Sequence, residues 1–273
     1  MPLPSAQDTD FLHTTLGRTG RQVFRLGLSA TYRPGEATLR MGIESGMNYL
    51  FWYFTDVQMT RVLREVLPSQ RERLVIATGV SNLADWFVRR GVEGSLRRLR
   101  TDYLDVFHIF WVGAGKLRPS TLDLLERFKE EGKIRYLAIS THARRYAAEL
   151  VRQGKLDVLM MRYNAAHRGA EQEIFPHLAG SNPGVVSHTA TRWTMLLRRP
   201  RGWPDEARVP TAGDCYRFVL SNPNVDVCYT APRHERELRE NLAAVAQGPL
   251  AKDDMDFMRQ FGDAVHAQHS FFL

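Results

Sequence analysis

Three short stretches of this chain carry side chains that could bind a ligand and move protons: Thr141-His142, Arg162-Tyr163-Asn164 with His167, and His188-Thr189-Ala190-Thr191-Arg192-Trp193. The planar fork of an arginine grips a carboxylate or phosphate through two parallel hydrogen bonds. A histidine near it titrates close to neutral pH and can give or take a proton. Phe51, Trp52, Phe110 and Trp111 form an aromatic set that suits the walls of a pocket for an apolar or planar body. Together these residues predict a site for an anionic or carbonyl-bearing small molecule. His142, His167 and Arg162 are its candidates for chemistry, and Asn164, Arg192 and Trp193 are further contacts. Tyr53 is a candidate proton donor, although a phenol with no cation beside it titrates near 10.

Each of these has a plainer reading. Arg162 and His167 could brace the loops by pairing with neighbouring acids, and Tyr53 could fill space beside Phe51, Trp52 and Phe54. His108 stands two residues before Phe110, so both face the same side of a strand, and a core histidine bonded to a neighbour accounts for it. The histidines show no HxH or HxxxH spacing, so no metal site is expected. Asp56 opens a helix and can serve as its cap. Lys116, in Gly113-Ala114-Gly115-Lys116, and the basic loop Arg198–Pro204 could reach over a ligand, though basic loops are commonly just solvated.

These residues cluster only if the elements converge. Short apolar runs predict strands over Val23–Leu28, Tyr49–Tyr53, Leu74–Thr78, Val106–Phe110, Ile134–Ser140, Val158–Arg162, Val185–Thr189 and Val227–Thr230. Stretches with apolar residues three and four apart predict helices between and after them: Ala37–Gly46, Val57–Leu67, Leu83–Leu99, Thr121–Glu131, Arg145–Gln153, Gln172–Ala179, Gly213–Leu220 and Glu235–Ala246. Nearly continuous apolar strands are buried on both faces, as in a parallel sheet. Eight βα units without a break in composition predict a single closed (β/α)8 barrel of the TIM type. An open doubly wound sheet would carry a glycine-rich phosphate turn after its first strand, and Ser29–Gly35 is not one. In a closed barrel the carboxyl ends of the strands meet at one mouth, which gathers the candidate residues.

Several motifs also carry a resemblance. Leu16-Gly17-Arg18-Thr19-Gly20 with Val23–Leu28 resembles the opening of the aldo-keto reductases. Ser95–Asp105 is similar to the helix–strand junction before the family's fourth strand, and Gly132–Ser140 to its fifth strand. Tyr163-Asn164 resembles the sixth, and Glu240-Asn241 the last cofactor-side helix, so the likeness runs from about residue 15 to 250. It implies a barrel enzyme that reduces carbonyls with a nicotinamide hydride through an Asp, Tyr, Lys and His. In this sequence those positions hold Phe51, Asp56, Gly79 and Phe110, and no lysine occurs before Lys116. The resemblance further implies an NADP or NAD site. Ser140 and Thr141 stand at its carboxamide pair, Met160 at its glutamine, and His188 at its stacking tyrosine. Arg233 and Arg236 stand near its 2′-phosphate clamp, and Glu240 with Asn241 at its adenine end.

Length and composition set the outer bounds. At 273 residues, 44% hydrophobic and 25% charged, the chain can bury a full core. Residues 1–14 read as a flexible lead, 15–250 as the barrel, and 251–273 as a helix and tail packing on it. No apolar run approaches the roughly 20 residues that span a bilayer, and no membrane partner is expected. A polar N-terminus and two lone cysteines, Cys215 and Cys228, suit a cytoplasmic protein. The net charge of +7 comes mainly from dispersed arginines, which reads as a solvated surface rather than a nucleic-acid stripe. Three functions stay open: atypical His/Arg chemistry on a small molecule, carbonyl reduction with NAD(P)H using a displaced donor such as Tyr53, and ligand binding without turnover.

Overall fold

The computed structural model describes residues 10–81, 83–113 and 117–268. A two-stranded antiparallel hairpin, β1 (His13–Thr15) and β2 (Gln22–Phe24), comes first. The barrel staves are β3 (Leu26–Ser29), β4 (Tyr49–Phe51), β5 (Val75–Val80), β6 (Leu104–Ile109), β7 (Ile134–Ser140), β8 (Val158–Arg162), β9 (Gly184–His188) and β10 (Val227–Thr230). The helices that follow them are α1 (Glu36–Glu44), α2 (Val57–Gln70), α3 (Asp85–Leu99), α4 (Pro119–Glu130), α5 (Arg144–Arg152), α6 (Ala170–Glu173), α7 (Leu178–Ser181), α8 (Ala212–Leu220) and α9 (Glu235–Val245). A last helix, α10 (Lys252–Gln268), completes the described chain. All neighbouring staves pair in parallel, and β10 returns to β3 through Cys228 opposite Leu26 and Thr230 opposite Leu28, so the sheet closes. The (β/α)8 fold expected from the alternating pattern is the fold observed.

Strand alternation divides the apolar residues into two cores. One set fills the barrel: Tyr49, Phe51, Val75, Ala77, Val106, Phe110, Val158, Met160, Val186, Val227 and Tyr229. The other faces the helices and includes Leu50, Trp52, Ile76, Phe107, Ile109 and Ile139. Gly27 makes room inside, because a Cβ there would lie 2.9 Å from both the Tyr229 ring and Val227. The hairpin closes the amino end of the barrel. Its Leu16 and Val23 join the interior set, and the Tyr136 hydroxyl donates to the Thr19 carbonyl at 3.0 Å.

Three expectations need correction. The expected strand Val23–Leu28 is split at Arg25, whose guanidinium donates to the Leu220 and Val225 carbonyls at 2.7 Å and turns the chain from hairpin to barrel. The expected helix Gln172–Ala179 is broken into α6, a 3-10 turn at Phe175–His177 and α7, since Pro176 has no N–H to continue it. The stretch taken as a flexible lead overlaps β1, because His13 and Thr14 pair with Phe24 and Val23; residues 1–9 lie outside the described ones. Helix α10 packs through Met258, Phe261 and Val265, and 269–273 are not described.

Candidate functional site

Among the described residues, the exposed large apolar side chains, Tyr32, Phe54, Val57, Trp86, Trp111 and Trp193, lie at the carboxyl face of the barrel, in loops after the strands or in the first turn of a helix. Apolar exposure gathered on one face marks a binding surface. At its centre is a cavity of about 320 Å3. Phe51, Phe110, Met160 and Tyr229, inward-facing residues near the carboxyl ends of their strands, form its floor. Tyr32, Tyr53, Trp111 and Trp193 wall it, and Ser29, Thr31, Ser140, His142, His188, Thr189 and Thr191 supply polar atoms. Among the described residues, no carboxylate lines it.

The two histidines face one another edge-on, with ring centroids 6.1 Å apart. Burial holds the His188 pKa down to about 3, helped by His142, Arg162 and His108. His142 stands at the open side, and its pKa is lowered by partial burial and then by Arg162. Both imidazoles are therefore neutral at physiological pH, each with one N–H donor and one acceptor nitrogen. Arg162 is paired in register with His188 but lies beside the cavity rather than in its wall. Its own pKa is lowered by burial and by Arg192 and Arg144, so this corner carries dense positive charge.

Tyr53 reaches the cavity, with its ring 4.9 Å from Phe51 and 5.7 Å from Phe110. Its pKa is raised, by burial alone. Among the described residues, no cation shifts it toward an acid. Gly79, which the resemblance sets at the lysine position, leaves no room for a side chain: a Cβ would lie 2.1 Å from the His108 carbonyl oxygen. Asp56 caps α2, its carboxylate accepting from the Met59 N–H at 3.0 Å. His108 is a core residue. Its ring stacks on Phe110 at 5.5 Å, its Nδ1–H donates to the Thr78 carbonyl at 3.2 Å, and burial lowers its pKa to about 4.

Several candidates do not face the cavity. Trp52 points outward, fully buried, with its indole N–H donating to Thr60 at 2.9 Å. Phe51 points in, and strand alternation sends the next residue the other way. Asn164 is spent on bracing: its amide donates to the Thr189 carbonyl at 2.9 Å and its oxygen accepts from the Ala166 N–H at 3.0 Å. His167 packs edge-on against His266 at 5.4 Å and its Nδ1 contacts Asn164 at 3.3 Å. Burial, then Arg162, lowers its pKa to about 3. Arg192 is fully buried beneath α10, where it donates to the Val265 carbonyl at 3.2 Å. Lys116 lies outside the described residues. Among those residues, no group of three or more His, Cys, Asp or Glu is placed to hold a metal ion. Sequence reading overlooked Tyr229, which the two-residue spacing from Val227 could have revealed, and Tyr216, which sits on α8 with no local signal.

The chain matches the Aldo/keto reductase family over residues 37–205. It belongs to that family. It is 30% identical over 221 residues to the NADH-specific methylglyoxal reductase of Escherichia coli (strain K12), covering 67% of each chain. With the L-galactose dehydrogenase of Arabidopsis thaliana it shares 23% identity over 281 residues, 85% of this chain and 87% of the relative. The fold superimposes on the holo form of an aldo-keto reductase from Bacillus halodurans with a TM-score of 0.76, at 22% identity, covering 92% of this chain and 96% of that one.

The residues present match the nicotinamide dinucleotide that the family implies only in part. Ser140 lines the cavity, but the Thr141 hydroxyl donates to the Val112 carbonyl at 2.6 Å and Met160 has no donor for a carboxamide. At the other end Arg233 is held by Glu237 at 2.8 Å, and Glu240 lies 3.7 Å from Arg236. Asn241 is buried, donating to Thr230 at 3.1 Å.

Proposed function

We propose that this aldo-keto reductase family member binds a small anionic or carbonyl-bearing molecule in the aromatic mouth cavity, without the family's tyrosine–lysine proton relay. The observation that carries this reading is the lining itself: aromatic walls, two neutral imidazoles and, among the described residues, no carboxylate. A carbonyl or carboxylate oxygen would accept from an imidazole N–H, with Arg162 stabilising negative charge from behind the wall. A flat or apolar body would rest on Phe51, Phe110 and Trp111. Any proton transfer falls to His142, the more open imidazole, rather than to the more buried His188 or to Tyr53.

Benzoate and benzaldehyde, followed by calorimetry or melting shift, test it. Binding is expected for the native chain, and His142→Ala with Arg162→Ala is expected to weaken benzoate about tenfold. Unchanged affinity in that double variant would make the mouth cluster purely structural. A second reading, reduction with NAD(P)H using Tyr53, draws on the reductases among the relatives and on Ser140 and His188 still lining the cavity. Saturable quenching of NADPH fluorescence, with NADPH consumed on adding methylglyoxal, would establish that reading and overturn the first.

A further inference from the structure

A second cavity, of about 350 Å3, opens beside the first. Tyr53, Phe110 and Trp111 line both, so one wall of three rings divides and joins them. The rest of the annex is mostly apolar, bounded by Phe54, Val80 and Phe87, with hydroxyls from Thr55, Ser81 and Ser95. Gly79 and Gly91 both line it, and packing holds both positions to glycine. A Cβ on Gly79 would lie 2.1 Å from the His108 carbonyl oxygen, and one on Gly91 would lie 2.3 Å from Val80. At the rim stands Arg90, an exposed side chain lining the cavity.

We infer that the annex is a second subsite, so that the ligand is an elongated molecule with an oxygen-bearing head in the mouth and an apolar arm across the ring wall. A second anionic end on that arm meets Arg90. This deepens the function proposed above and rests on it for the head. Apolar walls reward each methylene removed from water, and an arginine at the far rim selects arms that end in an acid.

The test uses the full chain and straight-chain carboxylates, butanoate, octanoate and dodecanoate, with octanedioate as the diacid. Affinity is expected to rise by up to about fourfold per methylene that enters the annex. Thr55→Trp, at an exposed position on the annex rim, is expected to abolish that rise while leaving benzoate binding intact. Arg90→Gln is expected to weaken octanedioate about threefold and leave octanoate unchanged. A flat length series, or a rise that survives Thr55→Trp, would overturn the annex. Octanedioate that is indifferent to Arg90→Gln would overturn the second anionic end. Failure of benzoate to bind bears on the mouth instead, since the length series is read separately.

Discussion

At the scale of single residues, Gly79 and His108 lock each other in place. They are register partners on β5 and β6, and the His108 carbonyl occupies the space a side chain at 79 would need. Gly79→Lys therefore has no space for its side chain in the native barrel. It is expected to destabilise the barrel by about 1–3 kcal/mol, as overpacking does, with no gain in carbonyl reduction. Denaturant unfolding and a reductase assay check both halves. His108 sets a pH dependence. Its folded pKa of about 4 lies below the ordinary 6.5, so the folded ring stays neutral while the unfolded ring takes up a proton. Stability is fully present above about 6.5 and falls as pH drops toward 4, by up to about 1.4 kcal/mol per pH unit. Asp226, raised to about 6 by burial, titrates in the same window with the opposite sign, since its contribution is lost as pH rises. The measurement is thus a difference: melting against pH should be less acid-sensitive in His108→Phe than in the native chain. Parallel curves would remove His108 from the account.

At the scale of elements, the segment after β9 decides what reaches the mouth. Thr189, Arg192, Trp193 and Thr194 all adopt positive φ, between 49° and 70°, an uncommon conformation for residues with side chains. The turn they make sends Arg192 under α10 and leaves Trp193 half-exposed over the cavity. Arg192 thus fastens the last helix, with Nη1 on the Val265 carbonyl. Arg192→Met is expected to cost about 1–3 kcal/mol, to raise amide exchange in α10, and to leave benzoate affinity nearly unchanged. A large loss of benzoate binding with α10 still protected would return Arg192 to the site. The broken stretch from α6 to α7 is a second local adjustment. Tyr163 ties it to the barrel, donating to Glu171 at 2.6 Å and accepting from Asn222 at 3.0 Å.

At the scale of the whole molecule, the arginine excess is not evenly felt. Arg33, Arg118, Arg145, Arg198, Arg199 and Arg201 are exposed in or beside loops at the face that holds the cavity. Such a rim attracts anions over about a Debye length, roughly 10 Å at 0.1 M salt. Benzoate affinity should fall roughly twofold to threefold from low to high salt, while benzaldehyde, which is uncharged, should be indifferent. Equal salt sensitivity of the two ligands would count against electrostatic attraction.

Much of this architecture was legible in the chain. Apolar runs separated by three-and-four spacing report which segments are buried on two faces and which on one, and a closed parallel barrel is the arrangement that buries eight such units in series. The ends of the strands are also visible, and Phe51, Phe110, His142 and His188 read from them line the mouth cavity. What the sequence left open was direction. Trp52, Asn164, Arg192 and Asn241 have the right chemistry at the right end of the barrel, yet alternation, buried hydrogen bonds and a left-handed turn aim them elsewhere. A residue's type is fixed by its codon, but the way it points depends on backbone dihedrals and on partners far along the chain, and these exist only once the barrel has closed.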